Sequence, residues 1–492
     1  VSLVEGHVTY RYAGVQRVLG ILLMIFSGSM LLPVAVGGLY GDGELEAFLV
    51  GFAVTLATGF MAWAPTRHVR RELKIRDGFL VVVLFWMVLS LFGAIPLWLA
   101  VRPDMSFTEA TFESVSGLTT TGATVLVGLD TLPHAILFWR VLLHWMGGMG
   151  IIVLAVAVLP MLGVGGMQLY RAETPGPIKD SKLTPRIRET AKALWYLYVS
   201  LTIISAFLFW VAGTSVFDAV GNAFSSIATG GFANHDLSLG YHGSAAIELV
   251  AIISMLAGSV SFGMHFMVWR NADPGIYWRD SETRTFILMI AAATAISTLV
   301  LMVAGTYVGL DDALIKSLFQ VLSIGTTTGF TTTDYSVWPS FLPMFLLLGG
   351  FVGGCAGSTT GGMKVVRSIL LAKQGVREIS RLVHPNAEIP IKMGEKVIPD
   401  RVVQAVWGFF AVYVSVFGLM FLILLSTGLS EITAFSAVAA TINNIGPGLG
   451  EVSSNMASIP AAGKWTLCLS MLLGRLEVFT LLVIMTPAFW RR

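Results

Sequence analysis

The chain has 492 residues, 55% of them hydrophobic and 12% charged, with a mean hydropathy of +0.78 and a formal net charge of +2. A soluble globular domain carries about 25% charged residues, so this composition excludes an ordinary soluble protein, and the near-neutral charge gives no sign of a nucleic-acid partner. Two cysteines, Cys355 and Cys468, in apolar or glycine-rich surroundings, are too few for a disulfide scaffold or a zinc site.

A membrane-spanning helix needs about 20 mainly apolar residues. In chain order the runs of that kind are 17–40, 45–64, 79–101, 134–162, 191–213, 242–269, 285–310, 338–375, 402–427 and 464–490. The first is longer than a signal-peptide core, so it reads as a span and not as a cleaved leader. Basic residues concentrate in alternate loops: Arg67 to Arg76, Arg171 to Lys192, Arg270 to Arg284, and Lys364 to Arg401. With Arg11, Arg17, Arg491 and Arg492 they put 26 of the 31 basic residues on one side. The excess of Lys and Arg on the cytoplasmic side makes both termini cytoplasmic. Trp63, Trp98, Trp269 and Trp490 fall near span ends and read as interface anchors. No linker divides the chain, which reads as one all-α membrane domain.

Four shorter segments on the other side resemble one another: FTEATFESVSGLTTTGATV (107–125), SVFDAVGNAFSSIATGGFANHD (215–236), DDALIKSLFQVLSIGTTTGFTTTD (311–334) and SEITAFSAVAATINNIGPGLG (430–450). Each opens with an acidic residue (Glu109, Asp218, Asp311 with Asp312, Glu431), continues as a short helical run and reaches a glycine. Aligned, the glycines are Gly122, Gly230, Gly329 and Gly446, at near-equal intervals of about 100 residues, too long for a solenoid repeat. The spacing predicts a helix, re-entrant loop, helix unit used four times. Non-helical backbone at membrane depth persists only where protein buries it or where it lines a water-filled cavity. A half-helix entering from outside points its partly negative C-terminus at the membrane centre, and the stretch beyond it can aim carbonyl oxygens at a dehydrated cation.

Seven strings carry a resemblance: SGLTTTGAT (116–124), HWMGGMGIIVLAVAVLP (144–160), ATGGF (228–232), TTTGF (326–330), CAGSTTGGMK (355–364), NNIGPGLG (443–450) and MLLGRLEVFTLLV (471–483). With them, almost the whole chain resembles the TrkH/TrkG/KtrB/HKT superfamily of potassium transporters, and the extra N-terminal helix pair is similar to the TrkH branch. The resemblance implies an N-terminal pair (1–66) and four helix–pore loop–helix repeats (67–170, 171–270, 271–375 and 376–492) around one pseudo-fourfold pore. It implies a potassium filter made of Thr120, Thr121 and Gly122, of Ala228, Thr229 and Gly230, of Thr327, Thr328 and Gly329, and of Asn444, Ile445 and Gly446. One glycine per strand implies looser discrimination against sodium than in tetrameric channels, with rubidium permeant. It further implies a homodimer in a bacterial inner membrane and a cytoplasmic ring of TrkA-like nucleotide-binding subunits.

The run 338–375 is too long for one straight helix, and its middle is rich in glycine, which costs about 1 kcal/mol per residue relative to alanine in a helix. A break is expected at 349–364. Gly349, Gly350, Gly353, Gly354, Gly357, Ser358, Thr359, Thr360, Gly361, Gly362 and Lys364 then form a flexible intramembrane gate; close helix packing through small residues is the other reading. Arg475, a charge in the middle of an apolar run, marks a functional site by default. It is expected to face the pore beneath the filter opposite the gate, or to pair with an acid on another helix. His144 reads as a packed residue, and Glu248 as a cation attractor at the outer mouth or a paired carboxylate.

Catalytic signatures are missing: the sequence has no H-E-x-x-H, no Walker motif and no G-x-S-x-G between strand and helix. GVGG at 163–166 follows a span and not a strand. The reading is therefore a non-enzyme without an organic cofactor, with any nucleotide acting through a partner on the basic loops 171–192 and 364–401. Anionic lipid or plain topology accounts for those charges equally well. A secondary symporter coupling potassium to protons or sodium is the competing function; such carriers often use inverted repeats, whereas the repeats here share one orientation.

Overall fold

The computed structural model describes residues 12–68, 75–148, 150, 187–394 and 396–491. Arg11, Arg70, Arg71, Lys74, the basic residues from Arg171 to Arg186, Arg492 and most of HWMGGMGIIVLAVAVLP lie outside the described residues. Among those described, six helices are long and apolar enough to cross a membrane: Ala13–Tyr40, Leu45–Thr66, Arg76–Leu99, Lys192–Val211, Ser281–Val303 and Asp400–Ser426. Their most apolar stretches have mean hydropathies of 1.8 to 2.6. Five of them leave more than half of that stretch uncovered; Arg76–Leu99 is 61% buried. In Ser281–Val303 only 28% of the apolar stretch is covered, leaving Leu299 and Val303 exposed. Such a surface is stable against lipid and not against water.

Two expected straight spans are bent. The run 242–269 becomes Ala245–Ser259 and Phe262–Asn271 at 96°, and 464–490 becomes Ala461–Arg475 and Phe479–Met485 at 111°. At the first bend the carbonyls of Gly258 and Ser259 accept from Thr359 N (3.2 Å) and Cys355 N (3.0 Å), so a distant loop takes the place of the next helical turn. At the second, Glu477 and Val478 adopt left-handed backbone (φ 52° and 56°), which ends a right-handed helix. The run 338–375 is interrupted where its glycines predict, between Phe341–Gly350 and Val365–Val383. Of the run 134–162, the helix His134–Gly148 is described.

Four short helices complete the membrane part: Phe107–Leu118, Val216–Ile227, Leu310–Gly325 and Glu431–Ile442. At about 1.5 Å per residue none reaches across a hydrocarbon core of about 30 Å. Their N-termini are satisfied locally. Ser106 forms a capping box with Glu109, and the Ser215 and Ser430 side chains accept from Asp218 N and Thr433 N. The third starts at Gly309 without a side-chain cap and carries Asp311 and Asp312 in its first turn, favourable against the helix dipole. Outside the helices, Lys392–Met393 pairs antiparallel with Lys396–Val397.

Candidate functional site

Each short helix ends in the same way. One residue beyond its cap the chain turns left-handed, at Thr120, Thr229, Thr327 and Asn444 (φ 49° to 57°), and two residues further on it does so again at a glycine. The residue between them donates its N–H back to the helix: Thr121 to Ser116 O, Gly230 to Ser225 O, Thr328 to Ser323 O and Ile445 to Ala440 O, at 2.7 to 2.9 Å. Non-glycine residues enter this region at a cost of about 1–2 kcal/mol, so four occurrences at equivalent positions mark a constraint that the surroundings impose.

The glycines then close a ring. A Cβ on Gly122 would lie 2.1 Å from Gly230 O, one on Gly231 would lie 2.0 Å from Thr328 O, and one on Gly329 would lie 1.9 Å from Ile445 O. On Gly446 it would lie 2.7 Å from Thr121 O, which returns to the first strand. Each strand therefore abuts the next so closely that no side chain fits between them.

This geometry corrects the second strand. The sequence alignment puts Ala228, Thr229 and Gly230 in register with the other three, but Ala228 caps its helix as Thr119 does, and the matching triplet is Thr229, Gly230 and Gly231. Two consecutive glycines in ATGGF make both registers possible in the sequence. Gly230 thus stands where the other strands have Thr121, Thr328 and Ile445. The space is filled from outside: a Cβ on Gly230 would lie 2.3 Å from His144 Nδ1. His144 is fully buried, stacks on Phe232 at 4.1 Å and has its Nδ1 3.2 Å from Ser225 Oγ. It packs, as expected.

Behind the first two strands lies a fully buried ion pair that the sequence did not reveal. Arg140 Nε donates to Glu113 Oε1 at 2.7 Å. Glu113 also accepts from Thr124 Oγ1 (2.9 Å) and Val125 N (3.0 Å), while Arg140 donates to Ala233 O (3.0 Å) and lies over the Phe232 ring. The pair ties the exit of the first strand to that of the second. On the fourth strand, Asn444 Nδ2 donates to Thr121 Oγ1 at 2.8 Å, tying it to the first. Glu248 is buried and paired with Lys316.

The segment 349–364 runs against one side of this ring. Thr229 Oγ1 donates to Thr359 Oγ1 (3.1 Å), Gly361 N to Thr327 Oγ1 (2.7 Å) and Gly362 N to Asn443 O (3.0 Å). The first strand is reached through Arg475, whose Nη1 donates to Thr120 Oγ1 (3.3 Å) and to Thr359 O (3.0 Å). Its Nη2 donates to Gly147 O and Gly148 O. Arg475 is the last residue of its helix and sits at the bend within the run 464–490, in contact with the segment 349–364. Thr359 Oγ1 also donates to Ile227 O and Gly258 O, both at 2.9 Å. Lys364 Nζ donates to Thr360 O, and Glu282 accepts from Ala356 N (2.7 Å) and Val366 N (3.2 Å), tying the segment to the first turn of the helix Ser281–Val303. Gly349 and Gly350 end the preceding helix; Gly353, Gly357 and Gly362 take positive φ within the segment, where Gly354 and Ser358 hydrogen-bond to Thr360. Close by, Arg367 pairs with Glu477 across the second bend.

Comparison with known proteins gives the same outline. Residues 44–492 match the family model TrkH, described as a cation transport protein. The chain is 54% identical over 483 residues to the Trk system potassium uptake protein TrkH of Vibrio parahaemolyticus, covering 98% of this chain and 100% of that one. It is 52% identical over 478 residues to the protein of the same name from Halomonas elongata, covering 97% and 99%. The crystal structure of the potassium transporter TrkH from Vibrio parahaemolyticus superposes with a TM-score of 0.89 at 51% identity, covering 98% of this chain and 100% of that one. With its bundle of apolar helices and the match running from the second helix to the last residue, the chain belongs to the TrkH family of cation transport proteins.

Proposed function

We propose that the chain takes up potassium across a bacterial inner membrane through a gated, channel-like pore, with rubidium permeant and sodium less so. The observation that carries this reading is the closed ring of four strands, each at the C-terminal end of a short helix. Partial negative charge at four helix C-termini favours a cation, and backbone oxygens fixed in a ring replace its water shell. The names of the relatives supply the ion. In this reading the four repeats are 67–170, 171–270, 271–375 and 376–492, and the filter is the four triplets with the second taken at Thr229, Gly230 and Gly231. Potassium is cargo driven by the membrane potential, about 2.3 kcal/mol per charge per 100 mV, and the chain performs no catalysis.

The segment 349–364 acts as the gate, and Arg475 adds a positive charge that opposes cations and holds the gate shut. What supports this is the set of hydrogen bonds from the segment and Arg475 to Thr120, Thr229, Thr327 and Asn443. Both termini and the helix Val365–Val383 are cytoplasmic. That helix leaves Val376, Ile379, Leu382 and Val383 exposed among basic residues, a surface suited to a TrkA-like nucleotide-binding ring in a homodimeric complex. The test is rubidium tracer flux and reversal potential in proteoliposomes. A pore gives a reversal potential that follows the potassium gradient alone; one displaced by an imposed proton or sodium gradient would replace the pore with a symporter.

A further inference from the structure

We propose that Asp218, His235 and His242 form a binding site for a transition-metal dication of the Zn2+ type, set apart from the potassium path. One ligand atom from each of the three residues lies within 4.8 Å of the other two. Asp218 lies in the first turn of the helix Val216–Ile227, whereas the ring lies beyond that helix's C-terminal end; His235 and His242 come from the loop that follows the second strand.

The donor set decides the class of ion. Potassium, magnesium and calcium take oxygen ligands; two imidazoles with one carboxylate suit zinc, cobalt or nickel. Tetrahedral zinc with bonds of about 2.1 Å holds its donors about 3.4 Å apart, so the donors close the site by approaching one another by up to about 1.4 Å, with water as the fourth ligand. His235 Nε2 is already 3.5 Å from Asp218 Oδ1 and has no hydrogen-bond partner among the described residues. Asp218 in turn is fixed by Ser215 Oγ (2.7 Å) and Asn234 Nδ2 (3.0 Å). His242 meets the His235 ring edge-on at 5.6 Å, and Tyr241 stacks on His235 at 3.6 Å, leaving the imidazole little freedom to turn.

A second, independent feature is the orientation of His235. Its Nδ1 lies 2.5 Å from Asp130 Oδ1, so a carboxylate takes the proton-bearing nitrogen and aims Nε2 at the other two donors. Metal-ligating histidines are held in this way, and loss of such a partner costs 10–100-fold in affinity. Asp130 is itself fixed within a two-way contact between loops, since Asp236 Oδ1 accepts from Gly128 N (2.9 Å) and Leu129 N (3.1 Å). A bound ion ties the loop after the second strand to the start of its own helix and, through Asp130, to the loop after the first.

The test is metal titration of the full-length protein in lipid nanodiscs, with Co2+ as a visible-absorbing probe and Zn2+ as competitor. One Co2+ per chain with tetrahedral absorption bands, displaced by stoichiometric Zn2+, is expected. His242→Ala and Asp218→Asn should each weaken binding at least about tenfold, as should Asp130→Asn, which leaves all three ligands in place; exposed His384→Ala should not. Asp130→Asn also decides the case should a ligand variant fail to fold. Binding no tighter than millimolar in the unaltered protein, or full affinity retained in His242→Ala or Asp130→Asn, overturns the proposal.

Discussion

The ring and the segment beside it are both buried non-helical backbone, yet they are held by different means. Each strand of the ring is tied to its own helix by backbone N–H groups, and its neighbours stand so close that only hydrogen fits at the glycines. The segment 349–364 is held by residues remote in the chain: its Cys355, Thr359 and Gly362 N–H groups reach Ser259 O, Gly258 O and Asn443 O, and the remaining ties come from the hydroxyls of Thr229, Thr327 and Thr359, the Arg475 guanidinium and the Glu282 carboxylate. Local backbone bonds leave a structure nowhere to go. Bonds between remote residues can be exchanged one at a time, each worth about 0.5–1.5 kcal/mol net. The difference suits a fixed selectivity element next to a movable one.

Substitutions should respect that division. The largest effect is expected from Gly329→Ser: its φ is +84°, and a Cβ there meets Ile445 O at 1.9 Å and Pro447 Cδ at 2.8 Å. The strand must shift, and the rubidium-over-sodium flux ratio in proteoliposomes should fall at least about tenfold, or 1.4 kcal/mol. Next comes Gly230→Ala, which drives a methyl into the His144 ring. Overpacking of this kind costs about 1–3 kcal/mol and should lower the midpoint of thermal unfolding. Adding His144→Ala should recover part of the loss, and an absence of coupling in that double-mutant cycle would break the account of the second strand.

Changes to the segment should act on flux and spare selectivity. Arg475→Ala removes its positive charge and its bonds to Thr120 and Thr359, and rubidium uptake should rise about fivefold, the scale of 1 kcal/mol off a barrier. Thr359→Val is milder. It keeps the shape but loses the hydroxyl bonds to Ile227 O and Gly258 O, so uptake should rise about twofold, with the ion ratio unchanged. A shift in ion preference in either variant would erase the distinction between the two regions.

Much of this was legible in the sequence. Apolar run lengths locate the six straight spans, acids mark the starts of the short helices, and the glycine cluster locates the break after Gly350. Those signals are local, because one stretch of chain must satisfy its own backbone. What the sequence hid depends on partners far along the chain. The bend at Ser259 exists because Cys355 and Thr359 take its last carbonyls. The Glu113–Arg140 pair requires knowing that the two residues meet, and the register of ATGGF depends on His144 filling the place beside Gly230. Nothing in the strings themselves selects Gly231 over Gly230.

The central claim is that the four strands surround a single ion path. Crystals soaked in rubidium and measured at its absorption edge test it most directly. The account predicts anomalous peaks on one axis enclosed by Gly122, Gly231, Gly329 and Gly446, with none between neighbouring strands. Rubidium bound away from that axis, or no peak inside the ring at saturating concentration, would contradict it.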